Sequence, residues 1–444
     1  MPRSIHFGVF LLGTGNHTAG WRYPGSDQTF LDIRVQQRVA AIAERGLFDF
    51  LFLGDGLAAN LGNHPSYACR LEPMTLLSAL AMTTTHVGLA ATMSTTYSDP
   101  YTTARAFASL DHISGGRAAW NAVTTSGAAA GGNFGRTHPD HEHRYEVAEE
   151  FINVVRGLWD CWSDDAVIAD LKTGKFFDER QVKPLNHEGV RFSVKGPLNM
   201  GRCPQGQPLV LQAGGSERGQ NLAARTADVV FSVVQDFEEA KVAYAGLKER
   251  IRRFGRDPDS VTILPGVMPI IGKTDADARE VLNTLQGYVD STEGLAMLSS
   301  RLGTDISKYS LDGPIPDLPL PNTSHGFARA LLAKGRRENM SLRDLYNLTA
   351  AARGHWVLCG SAQTVADTFE KWFLEGAADG FCVMPAWFPG QFDEFVDQVV
   401  PELQRRGLYR KAYTGTTLRD HLGLRRPAVG EYLRAAQPSK AAVS

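Results

Sequence analysis

The sequence predicts an α/β protein closed as a (β/α)8 TIM barrel. Three observations carry that prediction. Eight apolar runs alternate with segments of helical periodicity from end to end. The runs are continuous in Val, Ile, Leu and Phe rather than alternating with polar residues, as strands covered on both faces require. Several empty into small polar residues and glycines, and the C-terminal ends of barrel strands are where such folds place their chemistry.

Taken in order, the first strand spans 5–12 and a helix over 32–45 follows. The second strand, 48–53, ends at Gly54-Asp55-Gly56 ahead of a helix over 73–84. The third, 87–93, ends at Ser94-Thr95-Thr96. A helix over 100–113 turns at Ser114-Gly115-Gly116 into the fourth strand, 117–123. That strand runs through Trp120-Asn121-Ala122-Val123 into Thr124-Thr125-Ser126. A long helix over 141–163 then opens on His141-Glu142-His143-Arg144-Tyr145. The fifth strand, 208–212, ends at Ala213-Gly214-Gly215-Ser216 and feeds a helix over 216–226. Strand 229–234, helix 236–254 and strand 261–271 continue the pattern. Helix 362–375, strand 380–385 and helix 391–406 complete it.

Two segments break the rhythm. Residues 164–207 are rich in Pro and Gly, with strand-like pieces at 183–185 and 192–195. Residues 290–355 hold Pro314, Pro316, Pro319 and Pro321, then helical patterns around 325–335 and 340–352. Both read as insertions at the barrel mouth within a single domain over 1–427, the second as a lid. Residues 428–444 read as a loosely ordered tail.

Bulk properties narrow the function. The 444 residues carry a net charge of −2 with acids and bases interspersed, which gives no footprint for nucleic acid or an anionic membrane. Five scattered cysteines lack any CxxC pair, so neither a disulfide framework nor a thiolate zinc site is expected, and a cytoplasmic location fits. No signal peptide is expected at the N-terminus, and no apolar run approaches the roughly 20 residues of a membrane span.

The strand ends collect His17 and Trp21, Asp55, Ser94 to Thr96, Asn121, Thr124 to Ser126, and Gly215 with Ser216. This set is nearly neutral and rich in donors and acceptors. His138, His141 and His143 are interleaved with Asp140 and Glu142, so they read as a solvated helix start rather than a metal site. No GxSxG is present. Gly214-Gly215-Ser216 after a strand and before a helix suits a phosphate, with Arg144 and Tyr145 as further anion ligands. Plain helix capping by Ser216, and a surface ion pair for Arg144, are the alternatives. A neutral, amide- and hydroxyl-lined pocket with an anion clamp suits a flavin, whose ring edge alternates N–H and C=O.

At these residues the chain resembles the large, flavin-using component of two-component monooxygenases in the bacterial-luciferase-like superfamily. The nearest branch includes nitrilotriacetate and dibenzothiophene-sulfone monooxygenases. The resemblance runs from about residue 5 to residue 427. It is carried by His17 through Pro24, Ala43 through Phe50, Ser109 through Arg117, Trp120 through Thr124, Asn133-Phe134-Gly135 and His141 through Tyr145. Further motifs are Gly196 through Asn199, Pro204-Gln205-Gly206, Gln212-Ala213-Gly214, Ala378 through Phe381, Val400 through Gly407 and Thr417 through Leu424.

The resemblance implies that Asp55, Thr95 and Asn121 surround the isoalloxazine ring of FMN. His141 and Tyr145 would lie toward the ribityl-phosphate, and Ser216 on the phosphate. Gly215 departs from the small hydroxyl residue common in the family, and Ala122 from Val. His17 is the candidate catalytic residue, as proton donor or orienter, with a structural hydrogen bond as its alternative. Phe10, Phe52 and Trp387 are candidates for an apolar substrate wall, against a reading as core packing. His325 would join the site if the second insertion folds over it. The implied activity uses FMNH2 from a separate NAD(P)H:FMN reductase and O2 to oxygenate a small organic substrate with C–N or C–S cleavage, in a homodimer or homotetramer. Hydride transfer with the deazaflavin F420, and flavin binding without turnover, are the other two readings.

Overall fold

A computed structural model describes residues 3–61, 64–318 and 326–433. Eight parallel strands form the barrel: β1 (His6–Phe10), β2 (Phe50–Leu53), β3 (Gly88–Ser94), β4 (Ala118–Val123), β5 (Leu209–Gln212), β6 (Val229–Ser232), β7 (Thr262–Gly272) and β8 (Gly380–Val383). Each pairs with the next in chain order, and β8 returns to β1, with Val9 opposite Val383. The predicted barrel is therefore closed.

Capping explains where the surrounding helices begin. Asp32, Asp99, Asp140, Ser216, Asp236 and Ser361 each accept a backbone N–H at a helix start. Each such cap stabilises its helix by about 1 kcal/mol. The helix Pro100–Ser114 stops at Gly115, whose φ of +69° suits a residue without Cβ.

Strand alternation divides the apolar residues. Phe7, Val9, Leu51, Leu89 and Trp120 face the helices, while Phe10, Phe52, Ala90, Ala119, Leu211 and Phe231 fill the barrel. Near its mouth the interior is plugged by three rings: Phe10 and Phe52 meet edge-on at 4.9 Å, and Phe231 lies 5.3 Å from Phe52 and 5.9 Å from Phe10. At the other end, Asp49 accepts the Phe7 amide at 2.7 Å and pairs with Arg410, joining β1, the loop before β2 and the C-terminal segment.

Three features differ from the sequence expectation. A further strand, Trp356–Ser361, pairs in parallel with the outer half of β7, opposite Val267 to Gly272. It has only two buried positions, so its short apolar run merges into the helical pattern on either side. Residues 183–185 are not in a strand; the first insertion instead folds as the hairpins Val167–Asp170 with Lys175–Phe177, and His187–Glu188 with Ser193–Val194. Residues 428–433, expected as loose tail, pack on the barrel: Tyr432 N–H donates to Asp160 at 2.7 Å and Arg156 lies over the Tyr432 ring at 4.5 Å. An aromatic ring on a buried cation offsets the ordering entropy of so short a segment.

The second insertion builds its own small core. Helices Ser291–Leu302, Gly326–Arg337 and Leu342–Ala352 bury Leu298, Leu302, Leu331, Leu345 and Tyr346 together. It docks on the loop after β1, where Thr18 donates both its amide and its hydroxyl to the Ala350 carbonyl at 2.9 and 3.1 Å. His325 lies outside the described residues.

Candidate active site

The C-terminal ends of β2 to β5 wall a cavity of about 870 Å³ whose lining includes Asp55, Thr92, Ser94, Thr124, Tyr145, Gln212 and Gly214. Thr92 on β3 and Asn121 on β4 are register partners. The Thr92 hydroxyl donates to the Leu53 carbonyl at 2.6 Å, so its oxygen accepts from the Asn121 amide nitrogen at 2.8 Å. That order assigns the amide orientation and leaves Asn121 Oδ1 with no hydrogen-bond partner among the described residues. Gln212, the last residue of the neighbouring β5, has the complementary defect: its Nε2 is buried with no acceptor among the described residues. Gln212 lines the cavity and Asn121 lies behind its lining residue Thr92; each polar atom without a partner among the described residues costs roughly 1–3 kcal/mol until a ligand fills it.

The surrounding polar groups brace this pair. Ser94 and Thr125 share a hydroxyl bond at 2.7 Å, and the Thr96 hydroxyl donates to the Thr124 carbonyl at 2.9 Å. Thr125 has a φ of +52°, a strained conformation for a β-branched residue that this clamp holds in place. Thr95 spends both its amide and its hydroxyl on the Val123 carbonyl. Asp55 sits 3.7 Å from Arg70, and burial raises its carboxyl above the ordinary value.

The cavity runs to Gly214, next to a helix start. There Ser216 accepts the Gly219 amide at 3.1 Å, so the capping reading holds for its oxygen while its O–H is still able to donate. Gly214 and Gly219 touch: a Cβ on Gly214 would stand 2.8 Å from Gly219 Cα and 3.1 Å from the Tyr145 hydroxyl. A Cβ on Gly215 would meet nothing within 4 Å, so the hydroxyl side chain of the family pattern has room there. His141 packs 4.8 Å from Tyr145, ring to ring. Arg218 pairs with Glu142, tying the two helix starts together.

Arg144 is not the surface ion pair of the alternative reading. It is 9% exposed and donates to the Pro139 carbonyl at 2.6 Å and to His138 Nε2 at 2.7 Å. His138 Nε2 must then be the accepting nitrogen, and Nδ1–H faces the Tyr97 hydroxyl at 2.8 Å. Burial and then Arg144 lower the His138 pKa, keeping this bridge neutral. Among the described residues no cluster of His, Cys, Asp or Glu could hold a metal.

His17 is fully buried. Its Nδ1 accepts the Ala19 amide at 3.1 Å, which leaves the proton on Nε2, and Nε2 has no partner among the described residues. Burial holds its pKa at about 3. At neutral pH the ring is uncharged, so it can orient a ligand through Nε2–H but is not an imidazolium giving up a proton. Phe10 and Phe52 belong to the barrel plug, and Trp387 stacks on Tyr23 at 4.0 Å. None of the three is part of the cavity wall described above. Thr92, Gln212, Gly219 and the role of His138 escaped the sequence reading. Thr92 was within reach, because it lies two residues before Ser94 on the same strand face.

Fold and site together define a (β/α)8 barrel enzyme with a polar ring pocket and a glycine-lined helix start at its C-terminal mouth. The luciferase-like monooxygenase family model matches residues 5–379, and the chain belongs to that family. N-acetyl-S-(2-succino)cysteine monooxygenase of Bacillus subtilis (strain 168) is 46% identical over 430 residues, covering 96% of this chain and 98% of the relative. Nitrilotriacetate monooxygenase component A of Aminobacter aminovorans is 43% identical over 441 residues, covering 96% and 97%. The crystal structure of DmoA from Hyphomicrobium sulfonivorans matches with a TM-score of 0.88 at 31% identity, over 99% of this chain and 97% of that one.

Proposed function

We propose that the chain is the oxygenase component of a two-component system. It takes reduced FMN from a separate NAD(P)H:flavin reductase and uses O2 to insert one oxygen atom into a small organic substrate, with cleavage of a C–N or C–S bond. Reduced FMN, when bound, supplies the electrons that activate O2. The observation that carries the reading is a pair of amide atoms without a partner among the described residues, Gln212 Nε2 on the cavity lining and Asn121 Oδ1 behind the lining residue Thr92, at a cavity that reaches Gly214.

The residues present fit the cofactor. Asn121 Oδ1 would serve as an acceptor and Gln212 Nε2 as a donor for the flavin's polar ring edge. The Gly214–Ser216 backbone, the Ser216 hydroxyl and the Tyr145 hydroxyl would hold the phosphate at a helix start, where the dipole favours an anion. Asp55 lines the same pocket, and Thr95 and His141 would support it from behind, through Val123 and Tyr145. His17 orients substrate through Nε2–H, and the Phe10, Phe52 and Phe231 plug keeps water from entering through the barrel.

A homo-oligomer fits the surface. The hairpin at 167–177 exposes Val167, Ile168, Leu171, Phe176 and Phe177, an apolar cluster that a second copy would cover. All five cysteines are free, which suits the cytoplasm. Among the described residues no helix is long and apolar enough to cross a membrane. The test is an oxygen electrode with the chain, FMN, NADH and a generic flavin reductase, followed by mass spectrometry of a substrate panel. O2-dependent product that requires the reductase is expected. NADH oxidation by the purified chain alone, or product formation without O2, would overturn the reading.

A further inference from the structure

We infer that the substrate carries a carboxylate and that Arg353 is the residue that binds it. The inference rests on the monooxygenase reading and names the substrate class of that site. Arg353 ends the helix Leu342–Ala352 with a φ of +53°, a backbone conformation usually left to Gly or Asn. A long cationic side chain held there is a strained choice, of the kind found at ligand clamps.

The guanidinium reaches into the barrel mouth. It lies 5.3 Å above the Phe10 ring and 5.8 Å from the Tyr67 ring, and donates to the Asn16 carbonyl at 3.1 Å and the Asn16 side-chain oxygen at 3.0 Å. Both acceptors are neutral, and no acid among the described residues forms an ion pair with it. Its charged neighbours have the same sign. Arg70 stacks on the same Tyr67 ring at 5.0 Å, and burial, then Arg301 and Arg70, act against the charged form of Arg353, while Tyr67 favours it. Asp55, 3.7 Å from Arg70, is the one acid among the described residues ion-paired to either Arg70 or Arg353. An excess of positive charge in a desolvated mouth is a standing cost that a bound anion removes.

His355, two residues on, is 8% exposed and stacks 4.8 Å from Phe231; its Nδ1 has no hydrogen-bond partner among the described residues and packs against Gly266, where a Cβ would stand 2.4 Å away. Its pKa is lowered to about 3 by burial and by the charges of Arg353 and Arg301, so the ring is neutral and can donate from one nitrogen. Arg353 and His355 thus stand over Phe10 and Phe231, on the side of the mouth formed by β1 and β6 to β8. The flavin cavity occupies the side formed by β2 to β5. The two sides meet where Phe10 packs so closely against Gly54 that a Cβ there would stand 2.6 Å from the ring, one residue before Asp55. A substrate with its carboxylate on Arg353 therefore lays its remaining atoms across the Phe10 ring, toward the cavity that holds the flavin.

The test uses succinate as the probe and succinamide as its uncharged counterpart, with binding to the full chain read by calorimetry at low ionic strength. Flavin fluorescence reports FMN affinity in parallel. Succinate should bind the wild type at least about tenfold more tightly than succinamide, as a charge-assisted bond requires. Arg353→Gln should lose that preference while keeping FMN affinity. Arg353→Lys should keep most of it, because the charge stays. Equal binding of the two probes, or equal loss in the Gln and Lys variants, would overturn the inference and leave Arg353 as a brace for Asn16. A wild type that binds succinate but no FMN would sink the flavin reading alone.

Discussion

Asn121 spends its amide nitrogen on the hydroxyl of its register partner Thr92, a cavity-lining residue 2.8 Å away, and so leaves its carbonyl oxygen an acceptor with no partner among the described residues. The consequence is directional. Removing the acceptor should cost ligand, not fold. Asn121→Ala should weaken reduced FMN by about 1–2 kcal/mol, roughly 5- to 30-fold. Thr92→Val should weaken it by a similar amount, since the amide is then free to turn. The double variant should lose less than the sum of the two, because both act on one contact. Anaerobic titration with FMNH2 reads all three affinities, and strictly additive losses would show that Thr92 does not orient Asn121.

The glycine-rich turn predicts opposite outcomes at adjacent positions. A Cβ at Gly214 collides with the backbone of Gly219, whereas a Cβ at Gly215 meets open space. Gly214→Ala should therefore push the helix start away and weaken FMN by at least about tenfold, by misplacing the phosphate donors. Gly215→Ser should leave stability unchanged and tighten FMN by about 1.5–3 kcal/mol, through one added hydrogen bond to a charged group. Fluorescence titration with FMN measures both. A Gly215→Ser variant with unaltered affinity would place the phosphate elsewhere.

Much of this was legible before the structure, and the omissions have physical reasons. Continuous apolar runs such as Phe50 to Leu53 and Gly88 to Met93 announce strands buried on both faces, so the barrel could be read directly. Trp356–Ser361 could not, because among the described strands it pairs only with β7 and it buries few of its side chains. Asn121 and Ser216 stood out at a strand end and a helix start. His138 did not, because Asp140 and Glu142 made its surroundings look solvated, whereas Tyr97 and Arg144 enclose it from distant or later positions. Arg353 gave no local signal: what marks it is a left-handed φ and the company of Arg70 and Phe10, which only the closed barrel assembles.

His17 tests orientation against proton donation. Its ring is buried with a pKa of about 3, so its charge does not change between pH 5 and 9. His17→Ala should retain FMN affinity, because no contact of His17 reaches the Gly214 end of the cavity, and should lower product formed per O2 consumed. The pH profile of the remaining activity should keep the acid limb of the wild type. An acid limb that disappears with His17 would mean the ring titrates during turnover, and its burial would then have to be relieved by ligand.

Asp111 makes a pH prediction about the fold itself. It is fully buried at the end of the helix Pro100–Ser114, where Oδ1 accepts the Ala118 amide at 3.1 Å and the Gln205 amide at 2.6 Å, while Oδ2 has no partner among the described residues. Burial pushes its pKa up to about 6, against the hydrogen bonds from Gln205 and Ala118. The unfolded value is about 3.9. Between the two values the folded chain holds a proton that the unfolded chain has released. Stability from this group is therefore full below about pH 4, falls as pH rises toward 6, and stays lower above it. The difference between about 3.9 unfolded and about 6 folded caps the effect at roughly 3 kcal/mol. Asp111→Asn keeps the accepting oxygen and removes the charge, so it should be more stable than wild type at pH 7.5 by about 1–3 kcal/mol and indistinguishable from it at pH 4. Urea midpoints of both proteins at pH 4, 6 and 7.5 isolate the difference, since every other titrating group is common to the pair. A gap that stayed constant across that range would show that Asp111 is ionised throughout and that the Gln205 bond, not protonation, makes its burial tolerable.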